Sequence, residues 1–316
     1  MAATTRTTEH TTTVHAPADT VYELIADVTQ WPHTFPPTIH TERIHATAGH
    51  EHIHIWALAN GDVTDWTSRR HLDPTTRTIR FHQDTPHHPV AAMSGTWTLK
   101  PLTSTDTLLT LTHDFQAVDN APHHLDWIER AVHTNSTSEL DRLKHAAETR
   151  TTLTDLTLHF HDTLHITGDP THTYDFLHRA DLWPTRLPHV AHLDLHETPT
   201  GTQTMTMHTQ PPGGGPTHTT RSIRLCFPPH RIVYKQTTLP ALMTAHTGEW
   251  LITPDGNGGH TATSRHTVVL NPATIPTVLG QNATTTDART YVHNALSTNS
   301  RTTLHHAKHH TEHQPA

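Results

Sequence analysis

The stretch VYELIADVTQWP, Val21 to Pro32, is written a second time as TYDFLHRADLWP, Thr173 to Pro184. Tyr22 falls on Tyr174, Trp31 on Trp183 and Pro32 on Pro184, with one offset and no gap. Further landmarks return in the same order. GTWTL (Gly95 to Leu99) returns as GEWLI (Gly248 to Ile252), and TSRRHL (Thr67 to Leu72) as RSIRLC (Arg221 to Cys226). TNSTSEL (Thr134 to Leu140) returns as TNSRTTL (Thr298 to Leu304). The offset stays between 152 and 154 for three landmarks and widens to 164 at the last, which places an insertion near NPATIPTVLGQNATTT. A period of this length excludes a short-repeat solenoid and makes the chain a tandem duplication of one domain. The boundary is expected near Thr149 to Thr154, giving domains 1–150 and 151–316.

Each copy opens with a β-rich stretch, TTTVH or TLHIT, followed by a proline at a helix start, Pro17 or Pro170, the latter after the N-cap candidate Asp169. Val21, Leu24, Ile25 and Val28 then keep helical spacing. The Trp-Pro pair is expected to end that helix, because a residue before proline is pushed out of the α region. HIHIWALANGDVTDWTSRRHL alternates on both sides of Asn60-Gly61, a hairpin-turn signal, and three further strand-like stretches follow. Leu125, Ile128, Val132, Leu140 and Leu143 make one face of a long closing helix, repeated by Val292, Leu296 and Leu304. This element order predicts an α+β domain, a curved antiparallel sheet around a long C-terminal helix, with a ligand cavity between them.

Composition removes several classes. A net charge of −8 with 21 Lys and Arg leaves no basic stripe for nucleic acid. No apolar run reaches the length of a membrane span, and MAATTRTTEHTTT has no signal-peptide core. The single cysteine, Cys226, excludes an internal disulfide framework and fits a reducing cytoplasm. The apolar share is low at 33%, and threonine, whose β-branch suits a strand surface, fills much of the deficit. The 37 histidines are spread over every kind of element, so a metal site is not expected, although His305 and His309 stand one helical turn apart.

DWTSRRHLDP carries the candidate chemistry. On a strand Trp66, Ser68 and Arg70 share one face, and Thr67 and Arg69 the other. The Trp66 face belongs inside, which turns Arg70 inward, where a guanidinium needs a partner. A rim arginine snorkelling to water beside a structural Trp is the plain alternative. The second copy keeps Ser222 and Arg224 and has Thr220 in place of the Trp, which favours a site. Ser136 and Ser300, preceded by Asn135 and Asn299, interrupt the apolar stripes of the closing helices, either facing a ligand or bonding back to their own helix. Trp31, Phe35 and Trp56 either floor a pocket or are core.

In YELIADVTQWP, DWTSRRHLDP, LTHDF and TNSTSELDRLKHAAE, duplicated over nearly the whole chain, the sequence resembles the didomain aromatase/cyclases of bacterial type II polyketide synthases. The resemblance implies two helix-grip domains of the START and Bet v 1-like (SRPBCC) superfamily. It implies a poly-β-ketone substrate, usually ketoreduced, borne on an acyl carrier protein that works with ketosynthase and ketoreductase subunits. The first ring would close by aldol chemistry and become aromatic by dehydration, without cofactor or metal. In that chemistry Arg70 would polarise a ketone or hold an enolate, Ser68 would relay a proton and Trp66 would wall the cavity. Arg224, Ser222 and Thr220 would do likewise in the second copy. Thr38 and Val190 stand where single-domain relatives can carry a tyrosine, which removes a phenol donor. Arg69, Arg77 and Arg80 are the candidate patch for an acidic carrier. A non-catalytic carrier of a hydrophobic ligand is the rival from another class, since the same fold supports it.

Overall fold

The computed structural model describes residues 4–59, 61–210 and 217–314, so Asn60 of the expected Asn60-Gly61 turn lies outside the described residues. The chain divides into two compact units, Met1–Thr152 and Leu153–Ala316. In the first, β1 (Arg6–Val14) is followed by α1 (Ala18–Ala26), a 3-10 turn at Val28–Gln30 and the short α2 (Trp31–Thr34). Six strands follow: β2 (Thr38–Thr47), β3 (His50–Ala59), β4 (Asp62–Asp73), β5 (Thr78–Gln83), β6 (Val90–Pro101) and β7 (Thr107–Ala117). The long α3 (Pro122–Glu148) closes the unit, and α4 (Arg150–Leu156) spans the boundary where the sequence suggests only a polar separator.

The strands make one antiparallel sheet in the order β1-β7-β6-β5-β4-β3-β2, so consecutive hairpins run from β2 to β7 and the first strand returns beside the last. Alternation decides which face is inside. In β1, RTTEHTTTV, the more exposed positions alternate with the less exposed ones, and the threonines tolerate both. The helix α3 lies on β1 and β7 and buries Leu125, Ile128, Val132, Ser136, Leu140 and Leu143. That arrangement, a curved sheet gripping one long helix, is the helix-grip fold.

The second unit repeats it. Its elements are β8 (Thr157–Thr167), α5 (Pro170–His178), α6 (Trp183–Arg186), β9 (Val190–Glu197), β10 (Thr202–Thr209), β11 (His218–Phe227), β12 (Arg231–Thr238), β13 (Met243–Pro254), β14 (Gly259–Leu270), α7 (Ile275–Leu279) and α8 (Thr285–Glu312). The sheet order, β8-β14-β13-β12-β11-β10-β9, is that of the first unit. The extra residues lie between β14 and α8, where α7 has no counterpart. After them α8 starts on a capping box of Thr284 and Asp287.

Two local readings change. Asp169 does cap α5, its side chain accepting from the Thr171 N–H at 2.8 Å. The Trp-Pro pairs, however, do not end α1 and α5. Those helices stop at Ala26 and His178, and Trp31 and Trp183 begin the next helical turn with the proline in its first positions. Proline lacks only an N–H that the first turn leaves unbonded anyway.

The repeated glycine has a steric cause. Gly95 pairs with Phe81 on one side and His113 on the other, and Gly248 likewise with Tyr234 and His266. A Cβ at Gly95 would strike the Phe81 ring and the Thr112 carbonyl, and one at Gly248 the Tyr234 ring and the Arg265 carbonyl. The glycine therefore lets two rings from the flanking strands approach each other over it. Gly95→Ala is expected to destabilise the first unit by about 1–3 kcal/mol, the usual cost of overpacking. Denaturant unfolding of the full chain checks this, and an unchanged transition would show that Phe81 moves away freely.

Candidate functional site

Regular pairing of β4 with β3 sets Trp66 opposite Ile55, Ser68 opposite Ile53 and Arg70 opposite Glu51, all on the inward face, while Arg69 is exposed. The Arg70 side chain is only 2% exposed and binds several protein acceptors. Its Nη1 donates to Glu51 Oε1 at 2.7 Å and to the Ala26 carbonyl at 3.4 Å, and its Nη2 donates to the Ile25 carbonyl at 2.7 Å. Those carbonyls end α1, where helix oxygens lack partners and the helix dipole favours a cation. The guanidinium also lies over the Trp31 ring, 5.1 Å from its centroid. Glu51 is shared with Arg43, whose Nε donates at 3.0 Å. Burial pushes the Arg70 pKa down to about 10 against the pull of Glu51, so the group stays charged at neutral pH.

Arg224 does the same work in the second unit with a neutral partner. Its Nη2 donates to the Leu177 carbonyl at 2.6 Å, its Nη1 to Gln203 Oε1 at 2.7 Å, and its guanidinium lies 5.3 Å from the Trp183 ring centroid. Gln203 Nε2 in turn donates to the His178 carbonyl, the last of α5, at 3.2 Å. Burial is again the main cause lowering its pKa. Arg70 and Arg224 both turn inward, as strand alternation requires. Their terminal nitrogens bind protein acceptors, which ties each guanidinium to a helix end.

A second set of polar groups faces the space between sheet and helix. His113 stands on the inward face of β7 in line with Leu109, Leu111 and Phe115, and its ring meets Phe81 edge-on at 5.5 Å. Ser136 Oγ on α3 lies 3.4 Å from His113 Nδ1. One turn further along α3, Glu139 shares the stripe of Val132, Ser136 and Leu143. Among the described residues no hydrogen bond or ion pair holds its carboxylate, and its side chain keeps partial exposure although protein surrounds it. Burial alone raises its pKa to about 7, and burial lowers that of His113 to about 4. Neutral imidazole and protonated carboxyl therefore coexist between those values.

The other expected residues fall in different places. Trp31 and Phe35 pack inside against each other, rings 5.6 Å apart and edge to face, and Trp66 joins Val28, Ile53 and Ile55. Trp56 does not: with His54 it lies on the outer face of β3, stacked at 3.7 Å, because alternation gives the inner face to Ile53, Ile55 and Ala57. Asn135 is exposed, being turned away from the helix stripe, and Asn299 is half-buried with its carbonyl taken by the Thr303 hydroxyl at 2.9 Å. Ser68 donates to the His82 carbonyl at 2.9 Å, a use within the sheet, while Ser222 and Thr220 are buried on the inward side of β11. Ser300 is buried, its hydroxyl 2.8 Å from His266 Nε2. Of the basic patch, Arg69 and Arg77 are already paired with Asp84 at 2.9 Å and Asp19 at 2.6 Å, which cancels much of its charge. His113 and Glu139 were present in the quoted motifs LTHDF and TNSTSEL, and the signal for each is a polar residue in phase with an apolar stripe. Among the described residues no three His, Cys, Asp or Glu side chains are arranged to hold a metal ion. No described helix is long and apolar enough to cross a membrane.

Comparison with known proteins places this geometry. The family model described as polyketide cyclase/dehydrase and lipid transport matches residues 5–148. A granaticin polyketide synthase bifunctional cyclase/dehydratase from Streptomyces virginiae is 47% identical over 301 residues, covering 93% of this chain and 96% of that protein. The actinorhodin polyketide synthase bifunctional cyclase/dehydratase of Streptomyces coelicolor is 44% identical over 309 residues, 94% of each. Among solved structures, the di-domain ARO/CYC BexL from the BE-7585A biosynthetic pathway matches with a TM-score of 0.90 at 50% identity, over 98% of this chain and 100% of that one. The di-domain ARO/CYC StfQ from the steffimycin pathway matches with a TM-score of 0.85 at 34% identity, over 96% of this chain and 98% of that one.

The two arginine clamps differ in a measurable way. Arg70→Met leaves the buried Glu51 carboxylate with Arg43 as its remaining partner and is expected to cost up to about 3–5 kcal/mol. Arg224→Met strands only a neutral amide and a carbonyl, for about 1–3 kcal/mol. Adding Glu51→Gln to Arg70→Met should recover part of the loss. Equal losses in denaturant unfolding, with no recovery, would contradict the pairing described.

Proposed function

The chain belongs to the bifunctional cyclase/dehydratases of polyketide synthases, and we propose that it closes and dehydrates the first ring of a poly-β-ketone carried by an acyl carrier protein. The observation that carries the residue assignment is the inward set His113, Ser136 and Glu139. A methylene between two ketones is already acidic, so a weak base suffices, and the protein's main tasks are orientation and proton placement. With Nδ1–H of His113 assigned as donating to Ser136, the lone pair on Nε2 takes the methylene proton. The enolate carbon then forms the new C–C bond to a ketone, whose oxygen receives the proton of Glu139. Before dehydration the imidazolium proton of His113 returns to the Glu139 carboxylate through solvent, which restores the neutral base and the protonated acid. His113 takes a proton from the carbon beside the new alcohol, Glu139 protonates the departing hydroxyl, and water leaves as the C=C bond forms.

Two groups whose environments drive their pKa values apart suit this division into base and acid. Arg70, Trp31 and Phe35 act at the end of the cavity by holding α1 and its following turn in place. The remaining assignments, a ketoreduced substrate and docking by a carrier alongside ketosynthase and ketoreductase subunits, rest on the relatives' membership of polyketide synthases. A carrier role would instead show as tight binding of product-like ligands without turnover.

The pH profile tests the assignment. Activity should fall as pH rises through about 7, where Glu139 loses its proton, because its folded pKa is raised. Glu139→Gln should lose dehydrated product by about 100-fold or more, within the range for a general acid, and abolish that alkaline limb. Reconstitution with a minimal synthase and ketoreductase, with product analysis across pH, measures both. A Glu139→Gln variant with the parent product spectrum and pH profile would remove Glu139 from the mechanism.

A further inference from the structure

The two units keep the same histidine and the same serine, yet they wire them differently. His266 occupies on β14 the place of His113 on β7, opposite Gly248 as His113 is opposite Gly95. Ser300 on α8 answers Ser136 on α3. Around this shared pair the neighbours have changed. Tyr234 stands where Phe81 does, opposite the same glycine. By the offset of these landmarks His246 answers Met93, Ser264 answers Leu111 and Thr303 answers Glu139.

The consequence is that every edge of the His266 ring is taken. Nε2 lies 2.8 Å from Ser300 Oγ and 3.1 Å from Ser264 Oγ. Nδ1 lies 3.1 Å from the Tyr234 hydroxyl and 3.0 Å from His246 Nε2. Phe160 stacks on the ring at 4.9 Å, and the residue is only 5% exposed. The carboxyl of the first unit has no replacement on α8: Thr303 is buried and spends its hydroxyl on the Asn299 carbonyl. His113, by contrast, keeps partial exposure, its one ring hydrogen bond among the described residues is long, and Glu139 lies a turn along the facing helix. A base must reach its proton within hydrogen-bond distance, directly or through one water. His113 has a nitrogen to offer, and His266 has none.

We infer that the proton transfers of cyclisation and dehydration are confined to the first unit, and that the second unit's buried histidine is the centre of a closed structural network. The inference rests on the acid–base reading of the first unit and adds to it a non-reacting second one. With two hydroxyls and one imidazole, those of Tyr234, Ser264 and His246, where the first unit has Phe81, Leu111 and Met93, the position is a hydrogen-bonded core.

Matched substitutions in the full chain test this, with turnover and products read in the reconstituted synthase and the fold read by thermal unfolding. His113→Gln should lose about 100-fold or more of dehydrated product, as removal of a general base does. His266→Gln should keep the parent product spectrum with turnover within about threefold. Should His266→Gln fail to fold, the pair Tyr234→Phe and His246→Met, which installs the first unit's own residues, serves in its place with the same expected result. A loss in the second-unit variants as large as that of His113→Gln, at unchanged unfolding temperature, overturns the inference while leaving acid–base catalysis standing. Parent products from both His113→Gln and Glu139→Gln would overturn the acid–base reading itself, and the inference with it.

Discussion

A guanidinium placed in the interior by strand alternation is the constraint around which each unit is arranged. An unpaired buried charge costs several kcal/mol, so Arg70 must find acceptors, and it finds them at the one place a fold always has spare ones, the end of a helix. By donating to the Ile25 and Ala26 carbonyls it fixes where α1 stops. By lying over Trp31 it fixes the next turn as well. The motif around Tyr22, Trp31 and Pro32 and the motif around Ser68 and Arg70 are far apart in sequence, but they are two halves of one device. That is why they recur together: neither half is useful without the other, and Arg224, Leu177 and Trp183 repeat the arrangement.

The device survives a change of partner. Glu51 supplies a carboxylate in the first unit, and Gln203 supplies an amide oxygen in the second. The amide has compensating advantages, since its nitrogen meets the His178 carbonyl and a Glu197 carboxylate oxygen at 2.9 Å. What is held constant is the pairing of the guanidinium with a helix end and a Trp face; its charge balance is allowed to drift. The glycines tell a similar story across the sheet. Gly95 and Gly248 are kept because an aromatic ring occupies the volume of a Cβ, whether that ring is Phe81 or Tyr234.

Much of this was readable in the chain. The duplication, the element order and the long closing helix follow from landmark spacing and apolar periodicity, and so does the inward phase of Trp66, Ser68 and Arg70, because β3 and β4 pair without a bulge. The partners of Arg70 were not readable. Alternation says which way a side chain points, but what it meets depends on Ile25 and Glu51, which reach it only through the fold. Trp56 misled for a related reason: an aromatic residue suggests the interior, yet β3 already fills its inner face with Ile53, Ile55 and Ala57, and the ring stacks on His54 outside. His113 and Glu139 went unassigned among many histidines and acids, since only their phase against apolar neighbours sets them apart.

The placement of charge fits an uncharged substrate. A poly-β-ketone carries carbonyls and acidic methylenes but no fixed charge, and a permanent ion in its chamber would bind water or counter-ions in preference to it. In the first unit Arg70, the one deeply buried permanent cation among the described residues, is paired with Glu51 and set against the helix end. The groups proposed to react, His113, Ser136 and Glu139, are neutral in the protonation states that burial favours. Charge then appears there only when a proton moves, which is the condition under which a low-dielectric site stabilises a transition state more than a ground state. Under the proposed assignment, fixing the permanent charge against a helix end leaves the switchable groups to carry the proton transfers.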